Sequence, residues 1–197
     1  MKIARAFTLI EMMVAVSIFA IAMLVGVGAL LSLAAANKRA QAINAVMNNV
    51  NAAVEDMSRS MRTGSVYHCE IAIEPQYPPI SATRNCAAAP AGIFLAFEPS
   101  GGDTTTESNQ IVYRLNGTSI QRSTQGGAPG TWTAMTAPEV SIDAMTFYVV
   151  GAGREVSGVQ IQPRILISIR GSAKIPGGTT NFTIQSAVTQ RLLDVYQ

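Results

Sequence analysis

The sequence predicts an α+β protein in which one long N-terminal α-helix packs on an antiparallel β-sheet. The stretch Phe7 to Ala36 is apolar apart from Glu11, and a one-sided helical pattern continues from there to about Arg62. Short runs of β-type residues separated by turn signals then follow one another towards the C-terminus. A core-forming domain needs about 100 to 150 residues, so a chain of 197 residues has room for one domain beyond the helix.

The apolar stretch is long enough to cross a lipid bilayer. Met12 to Ala36 contains no charged residue. At about 1.5 Å per residue it spans about 37 Å as a helix, against about 30 Å for the bilayer core. We therefore predict a transmembrane helix.

The charges at the N-terminus predict the orientation of this helix. Lys2 and Arg5 precede it, and the next basic residues are Lys38 and Arg39. Under the positive-inside rule this favours a cytoplasmic N-terminus and an exported C-terminal domain, a preference that the pair at 38 and 39 weakens. A secretory signal peptide would carry its small residue after the apolar core, whereas Ala6 lies before it.

These residues resemble a known signal. MKIARA followed by FTLIEMMVAVSIFAIAML resembles the class III signal of type IV pilins and type II secretion pseudopilins. The resemblance implies that a prepilin peptidase cuts between Ala6 and Phe7 and methylates the new amino group of Phe7. Glu11 then becomes the fifth mature residue, where the family carries a glutamate. This chain has Ala6 where the family nearly always has Gly.

Glu11 is the one charge in this apolar helix. A carboxylate at the bilayer centre costs about 2.5 to 3.5 kcal/mol, so such groups are usually paired and functional. The hypothesis is that Glu11 pairs with the Phe7 amino group of a neighbouring subunit, in a head-to-tail contact that repeats as an open filament. An interfacial Glu that touches water, and a contact between Phe7 and Glu11 of one chain, are the alternatives.

An amphipathic stalk helix is predicted after Asn37, with Gly64 as its stop signal. Its apolar residues recur at steps of three and four and form one stripe. They are Ile43, Met47, Val50, Val54, Met57 and Met61. The opposite face is polar and includes Asn49, Glu55, Asp56 and Arg59. Packing on the protein's own sheet explains the stripe better than a coiled coil does.

Cys69 and Cys86 are the only cysteines, and a disulfide is expected between them if the domain is exported. Free buried thiols are the alternative, and a zinc site lacks the further ligands that it would need. Both cysteines lie in Ser65 to Pro90, which the prolines at 75, 78 and 79 mark as an irregular connection. His68, the only histidine, is interpreted as structural or exposed.

The rest of the chain predicts about six strands. Asn116-Gly117 is a hairpin signal between two of them, and Ile165, Ile167 and Ile169 alternate with other residues as in a half-buried strand. The predicted strands lie at 92–98, 110–115, 118–122, 140–150, 159–169 and 181–188.

The sequence offers no catalytic or cofactor motif. Glu98, Asp103 and Glu107 could ligate calcium, but their spacing fits no EF-hand loop and a solvated acidic turn explains them better. No basic patch with interleaved aromatic residues indicates nucleic-acid binding. We expect a protein that is not an enzyme and that has no cofactor and no metal site.

These observations predict four parts: a leader at 1–6, a transmembrane and assembly helix at 7–36, a stalk helix at 37–64 and an exported β-rich domain at 65–197. The resemblance implies a pilin-like fold and a structural filament subunit, most like a minor pilin or a J-type minor pseudopilin. It implies prepilin peptidase, other pilins or pseudopilins, the inner-membrane assembly platform and the lipid bilayer as partners. The alternative function is a membrane-anchored binding module or adhesin that does not polymerise.

Overall fold

The computed structural model describes residues 7–71, 82–87, 91–103, 105–152, 155–156 and 159–191. The chain divides into two compact units, Met1–Ala42 and Ile43–Gln197. Helix α1 (Leu9–Thr63) supplies most of the described part of the first unit and begins the second. The predicted leader and the prolines at 75, 78 and 79 lie outside the described residues.

Helix α1 confirms the long helix that the sequence predicts, and it ends at Thr63, one residue beyond Arg62. The next residue is Gly64, and a side chain would not fit at this position. A Cβ here would lie 2.3 Å from Cδ2 of Phe97. The Tyr67 hydroxyl donates to the carbonyl oxygens of Met61 and Gly64, at 2.5 and 2.7 Å. The Met61 carbonyl belongs to the last turn of the helix, where carbonyl groups have no helical partner, and Tyr67 satisfies it.

The apolar stripe of the stalk helix is buried in the core of the second unit. Val50, Met57 and Met61 are fully buried, whereas Ile43 and Met47 at the start of the stripe are half-buried. Met57 and Met61 belong to the same core cluster as Leu95, Phe97 and Phe147, so the stripe packs on the protein's own β-structure, as expected.

The described strands form two larger antiparallel sheets and a two-stranded ribbon, where the sequence predicted one sheet. The five-stranded sheet runs β1 (Ser65–Glu70), β2 (Phe94–Glu98), β3 (Ile111–Asn116), β4 (Ser119–Ser123) and β5 (Thr133–Ala134). The ribbon pairs β7 (Glu155–Val156) with β8 (Val159–Gln160). The three-stranded sheet has the order β10 (Gly178–Thr189), β9 (Arg164–Ile175), β6 (Val140–Val150). The predicted α+β class is thus confirmed, with a pilin-like arrangement of helix and sheets.

The sequence predicted an irregular connection from Ser65 to Pro90, but its first six residues form strand β1. The segment SVYHCE pairs with β2, and Tyr67 and Cys69 are fully buried. A bulge lies between Ser65 and His68, and Val66 within it has a φ of 51°, a left-handed value that β-branched residues seldom adopt. The bulge and the short length hide the strand from a search for regular alternation.

The predicted hairpin at Asn116-Gly117 is confirmed, but its turn is displaced by one residue. Asn116 pairs with Ser119, so Gly117 and Thr118 form the two-residue loop. Gly117 has a φ of 58°, and Thr118 is not among the residues with positive φ. A positive φ at the first central residue alone is the pattern of a type II′ turn, which needs Gly in that place.

The sequence predicted some strands of the three-stranded sheet and the ribbon correctly and others wrongly. Strand β6 has the predicted bounds, and Ile165, Ile167 and Ile169 of β9 are buried as their alternation predicted. The single strand predicted at 159–169 is instead two strands, β8 and the beginning of β9, with Pro163 directly before β9. Proline lacks the N–H group that a central strand needs, which explains the break.

Buried Tyr113 is expected to make the stability of the second unit depend on pH in the alkaline range. Its ring is fully buried, 6.0 Å from that of Phe97. Burial raises the pKa of the Tyr113 hydroxyl, and the charge of Asp56 raises it further, while the nearby Ser60 and Arg122 lower it. The folded chain therefore holds its proton at a pH where the unfolded chain, with a tyrosine pKa of about 10, loses it.

We expect the free energy of unfolding to fall as the pH rises above about 10, because ionised Tyr113 then favours the unfolded chain. Thermal unfolding of the chain in detergent, followed between about pH 8 and pH 11, measures this. The Tyr113→Phe variant should lose stability less steeply over the same range. Equal slopes for the two proteins would contradict the assignment to Tyr113.

Candidate functional site

The start of α1 is organised by Thr8. The backbone N–H of Glu11 donates to Oγ1 of Thr8 at 3.3 Å, and the N–H of Met12 donates to the Thr8 carbonyl oxygen at 3.2 Å. Thr8 is therefore the N-cap of the helix, and Glu11 occupies its third position, in the spacing of a capping box. Our sequence reasoning missed Thr8, although a threonine three residues before a glutamate is a recognisable signal for a helix start.

Glu11 lies in the first turn, where the helix dipole favours a negative charge. Its side chain is exposed, and within the described part of the chain no hydrogen bond or ion pair is seen for its carboxylate. The intrachain contact with the Phe7 amino group remains a prediction, because that amino group exists only after cleavage. Phe7 itself is 75% exposed.

The segment after Glu11 is apolar around its whole circumference. Its most apolar window has a mean hydropathy of 2.6 and is 0% buried, and by length and composition the helix could cross a membrane. The hydroxyl of Ser17 donates to the carbonyl oxygen of Met13 at 2.8 Å, so this polar group has a partner inside the helix. A helix that is apolar all round is typical of a membrane span.

Residues 1–27 match the family model described as the prokaryotic N-terminal methylation motif. The chain carries this methylation motif. The motif is the signal of type IV pilins and pseudopilins, and it implies processing by a prepilin peptidase. Proteins with this signal are typically structural and not enzymes, and the apolar helix is consistent with the single membrane anchor of prepilins. No curated protein and no solved structure gave a significant match to the chain.

The two cysteines are joined in the second unit. Cys69, on β1, and Cys86 form a disulfide with their Cα atoms 5.8 Å apart. The bond is buried against Gly92, where a Cβ would lie 2.0 Å from Sγ of Cys69. Gly92 in turn exchanges two backbone hydrogen bonds with Phe147 of β6. The disulfide thus ties β1 and the segment around Cys86 to the core.

His68 lies beside the disulfide in a polar cluster. Its Nε2 atom is 3.6 Å from Oε2 of Glu70, and its Nδ1 atom is 2.5 Å from the carbonyl oxygen of Ala82. The guanidinium of Arg84 forms an ion pair with the same Glu70 carboxylate. These contacts connect β1 to the segment that contains Ala82 and Arg84, so His68 is structural, as interpreted from the sequence.

The polar face of the stalk helix also contacts the rest of the second unit. Asp56 accepts a hydrogen bond from Nη1 of Arg122 on β4, at 2.7 Å. Asn49 accepts from the backbone N–H of Ala137, at 3.0 Å. These contacts fix the stalk helix against the loops and strands beside it, whereas the Arg59–Glu55 pair stays exposed on the helix surface.

The three acidic residues considered as calcium ligands have different surroundings. Glu98 is fully buried, and its Oε1 accepts from Nε2 of Gln110 at 2.8 Å, so it does not lie in a solvated turn. Asp103 accepts from the hydroxyl and backbone N–H of Thr105, which hold the pKa of its carboxyl below its usual value. The side chain of Glu107 is outside the described atoms. Among the described residues, no group of three His, Cys, Asp or Glu could hold a metal ion.

Proposed function

We propose that this chain is a structural subunit, and a minor one, of a type IV pilus or a type II secretion pseudopilus. A prepilin peptidase cuts it between Ala6 and Phe7 and methylates Phe7, and the mature chain polymerises through its N-terminal helix. The observation that carries the proposal is the methylation motif at 1–27, which includes the start of an apolar helix that continues into a folded domain. A cut before the helix keeps the helix in the mature protein.

Glu11 is the residue that this function needs most. Its carboxylate is exposed on an apolar helix surface. Its backbone N–H donates to Oγ1 of Thr8, which caps the start of the helix. In a filament the new amino group of Phe7 on one subunit would pair with Glu11 of its neighbour. The pairing removes the cost of an isolated charge among apolar helices and fixes how far one helix is displaced along the next.

The proposal places the N-terminus in the cytoplasm and the domain after the stalk outside the inner membrane. Lys2 and Arg5 favour this orientation. The Cys69–Cys86 disulfide supports it as well, because such bonds persist in oxidising compartments and are rare in the cytosol. Other pilins or pseudopilins and the inner-membrane assembly platform are the partners that follow.

The assignment as a minor subunit comes from the domain. The two cysteines lie early in it, at 69 and 86, and the β-rich part extends over most of the remaining chain. A major pilin often closes its disulfide near the C-terminus, which this chain does not do. The domain is therefore more similar to that of a minor pilin or a J-type minor pseudopilin.

The amount of this chain in purified filaments tests the proposal. Filaments are sheared from cells, and quantitative mass spectrometry compares the chain with the major subunit. We expect the chain to be present and well below one copy per major subunit. Recovery only in the membrane fraction would contradict the filament role and favour an anchored binding module, and equal copy number would contradict the minor role.

A further inference from the structure

Among the described strands, β10 has a neighbour on one side only. It is the outer strand of the order β10-β9-β6 and pairs with β9 along its whole length, from Gly178 opposite Ile175 to Thr189 opposite Arg164. The register contains no bulge. The other edge of β10 is therefore an uninterrupted row of backbone groups twelve residues long.

The hydrogen-bond pattern shows which residues face this free edge. Gln190, directly after β10, donates its N–H to the carbonyl oxygen of Pro163, which continues the register. Bonded residues alternate in an antiparallel pair, so the even-numbered residues of β10 bond to β9. On the far side of β9, Lys174 donates to Glu139, which gives the same alternation. The backbone N–H and C=O groups that point to the free edge therefore belong to Thr179, Asn181, Thr183, Gln185, Ala187 and Thr189.

The free edge lacks the usual protection against other strands. Edge strands of native proteins are commonly interrupted by bulges, by proline or by charged side chains, especially lysine. The segment GTTNFTIQSAVT contains no charged residue and no proline. Within the described part of the chain, no hydrogen bond to the six edge-facing backbone positions is seen, and their side chains are exposed.

The inner face of β10 is only partly covered. Phe182 and Ile184 point to the same face as Ile167 and Ile169 of β9 and pack against the core. The two β9 residues are buried, whereas the two β10 residues are half-buried. One more strand beside β10, with apolar side chains at alternate positions, would complete the burial.

We propose that the free edge of β10 is an interaction surface that receives an extended segment of a different filament subunit by β-strand addition. This inference rests on the proposed function. The backbone groups of the edge supply the hydrogen bonds, and the uncovered sides of Phe182 and Ile184 select a segment with apolar residues at alternate positions. An edge without protection favours aggregation while it is empty, so a permanent neighbour suits it better than a transient ligand.

The other described strand edges explain why the partner is a different chain. Strand β1 receives backbone bonds from Arg84, β6 receives them from Gly92 and Cys86, and β5 has only two residues. Among the described strands, β10 thus offers the one long free edge. Two copies of this chain could then pair their β10 strands only symmetrically, which closes a dimer and cannot continue along a filament.

Photo-crosslinking in sheared filaments tests the proposal. A benzoylphenylalanine replaces Gln185, which faces the edge, and mass spectrometry of the adduct identifies the crosslinked peptide. The matched control carries the same group at Leu166, an exposed residue of β9 one strand away from the edge. We expect adducts from position 185 to one extended segment of another filament subunit, and about tenfold fewer from position 166.

Two variants show whether the backbone of the edge carries the contact. Thr183→Pro removes an edge-facing N–H group and leaves the bonds to β9, whereas Thr183→Val changes the side chain and keeps the N–H group. We expect Thr183→Pro to lower the adducts from position 185 by about tenfold, because a carbonyl of the added strand is left unsatisfied. Thr183→Val should leave them unchanged.

The outcomes separate this inference from the proposed function. Three results in filaments that contain the chain would show that the strand-addition proposal alone is wrong. They are no adduct, an adduct only to its own copy or to a protein outside the filament, and an adduct yield that Thr183→Pro does not change. Absence of the chain from filaments overturns both.

Amide exchange of the unsubstituted chain in detergent adds a test that needs no variant. The N–H groups of Thr183 and Gln185 should exchange fast, because they face the free edge, and those of Phe182 and Ile184 should exchange slowly, because they bond to β9. Equal protection of the two pairs would mean that the edge is already covered, which would overturn the proposal.

Discussion

Glu11→Gln is expected to leave membrane insertion intact and to lower incorporation into filaments by about a hundredfold. Removing one partner of a desolvated ion pair costs about 3 kcal/mol or more, since the other charge is left uncompensated. In the proposed filament that charge is the amino group of Phe7 on the neighbouring subunit. Immunoblots of membrane and sheared-filament fractions measure the two quantities.

The choice of Gln separates the two roles that the structure allows for Glu11. Gln also suits the third position of a capping box, so it keeps the helix start that Thr8 caps. Thr8→Ala is the matched variant, because it removes the cap and keeps the Glu11 charge. We expect Thr8→Ala to assemble nearly as well as the unsubstituted chain. If Glu11→Gln assembled normally while Thr8→Ala failed, the residue would act through the helix start and not through an intersubunit pair.

Loss of the disulfide is expected to lower the stability of the β-rich domain by about 3 kcal/mol. Cys69 and Cys86 are 17 residues apart, and on the chain-entropy model a loop of this length corresponds to that value. Both cysteines are buried, so a double Cys→Ser variant also places two hydroxyl groups in the core. The measurement is the midpoint of urea unfolding for the oxidised chain and for the double variant.

A double Cys→Ala variant serves as the control for the buried hydroxyl groups, because it removes the bond and adds no polar atom. It should be more stable than the serine variant and less stable than the oxidised chain. Addition of a reductant should lower the midpoint of the unsubstituted chain and leave both variants unchanged. An unsubstituted chain with the same midpoint before and after reduction would contradict a stabilising disulfide.

The sequence was a good guide where the signal is local and repeated. The apolar run and the stripe through Val50 and Met57 predicted α1 almost to its last residue, because each turn of a helix repeats the same requirement. Strand β6 and the alternation of Ile165, Ile167 and Ile169 were predicted for the same reason. Their inward and outward positions follow directly from the period of two.

Features that depend on partners distant in the chain could not be predicted in this way. The sequence places Asp56 on the polar face of the stalk helix, but it does not show that the fold brings Nη1 of Arg122 to 2.7 Å from the Asp56 carboxylate. Glu98 reads as part of an acidic turn, but it belongs to a strand that is buried along its length and bonds to Gln110. A strand edge such as that of β10 is defined by the absence of a neighbour, which only the order of strands in the sheet reveals.

We propose that the apolar helix is kept in the mature protein with Phe7 at its start, ready to pair with Glu11 of another subunit. Mass spectrometry of the N-terminal peptide from the membrane and filament fractions tests it directly. We predict a chain that begins at Phe7 and carries a methyl group on its amino nitrogen, with Ala6 accepted by the peptidase in place of Gly. An intact Met1, or a cut after Ala36, would contradict the retention of the helix behind a new N-terminus at Phe7.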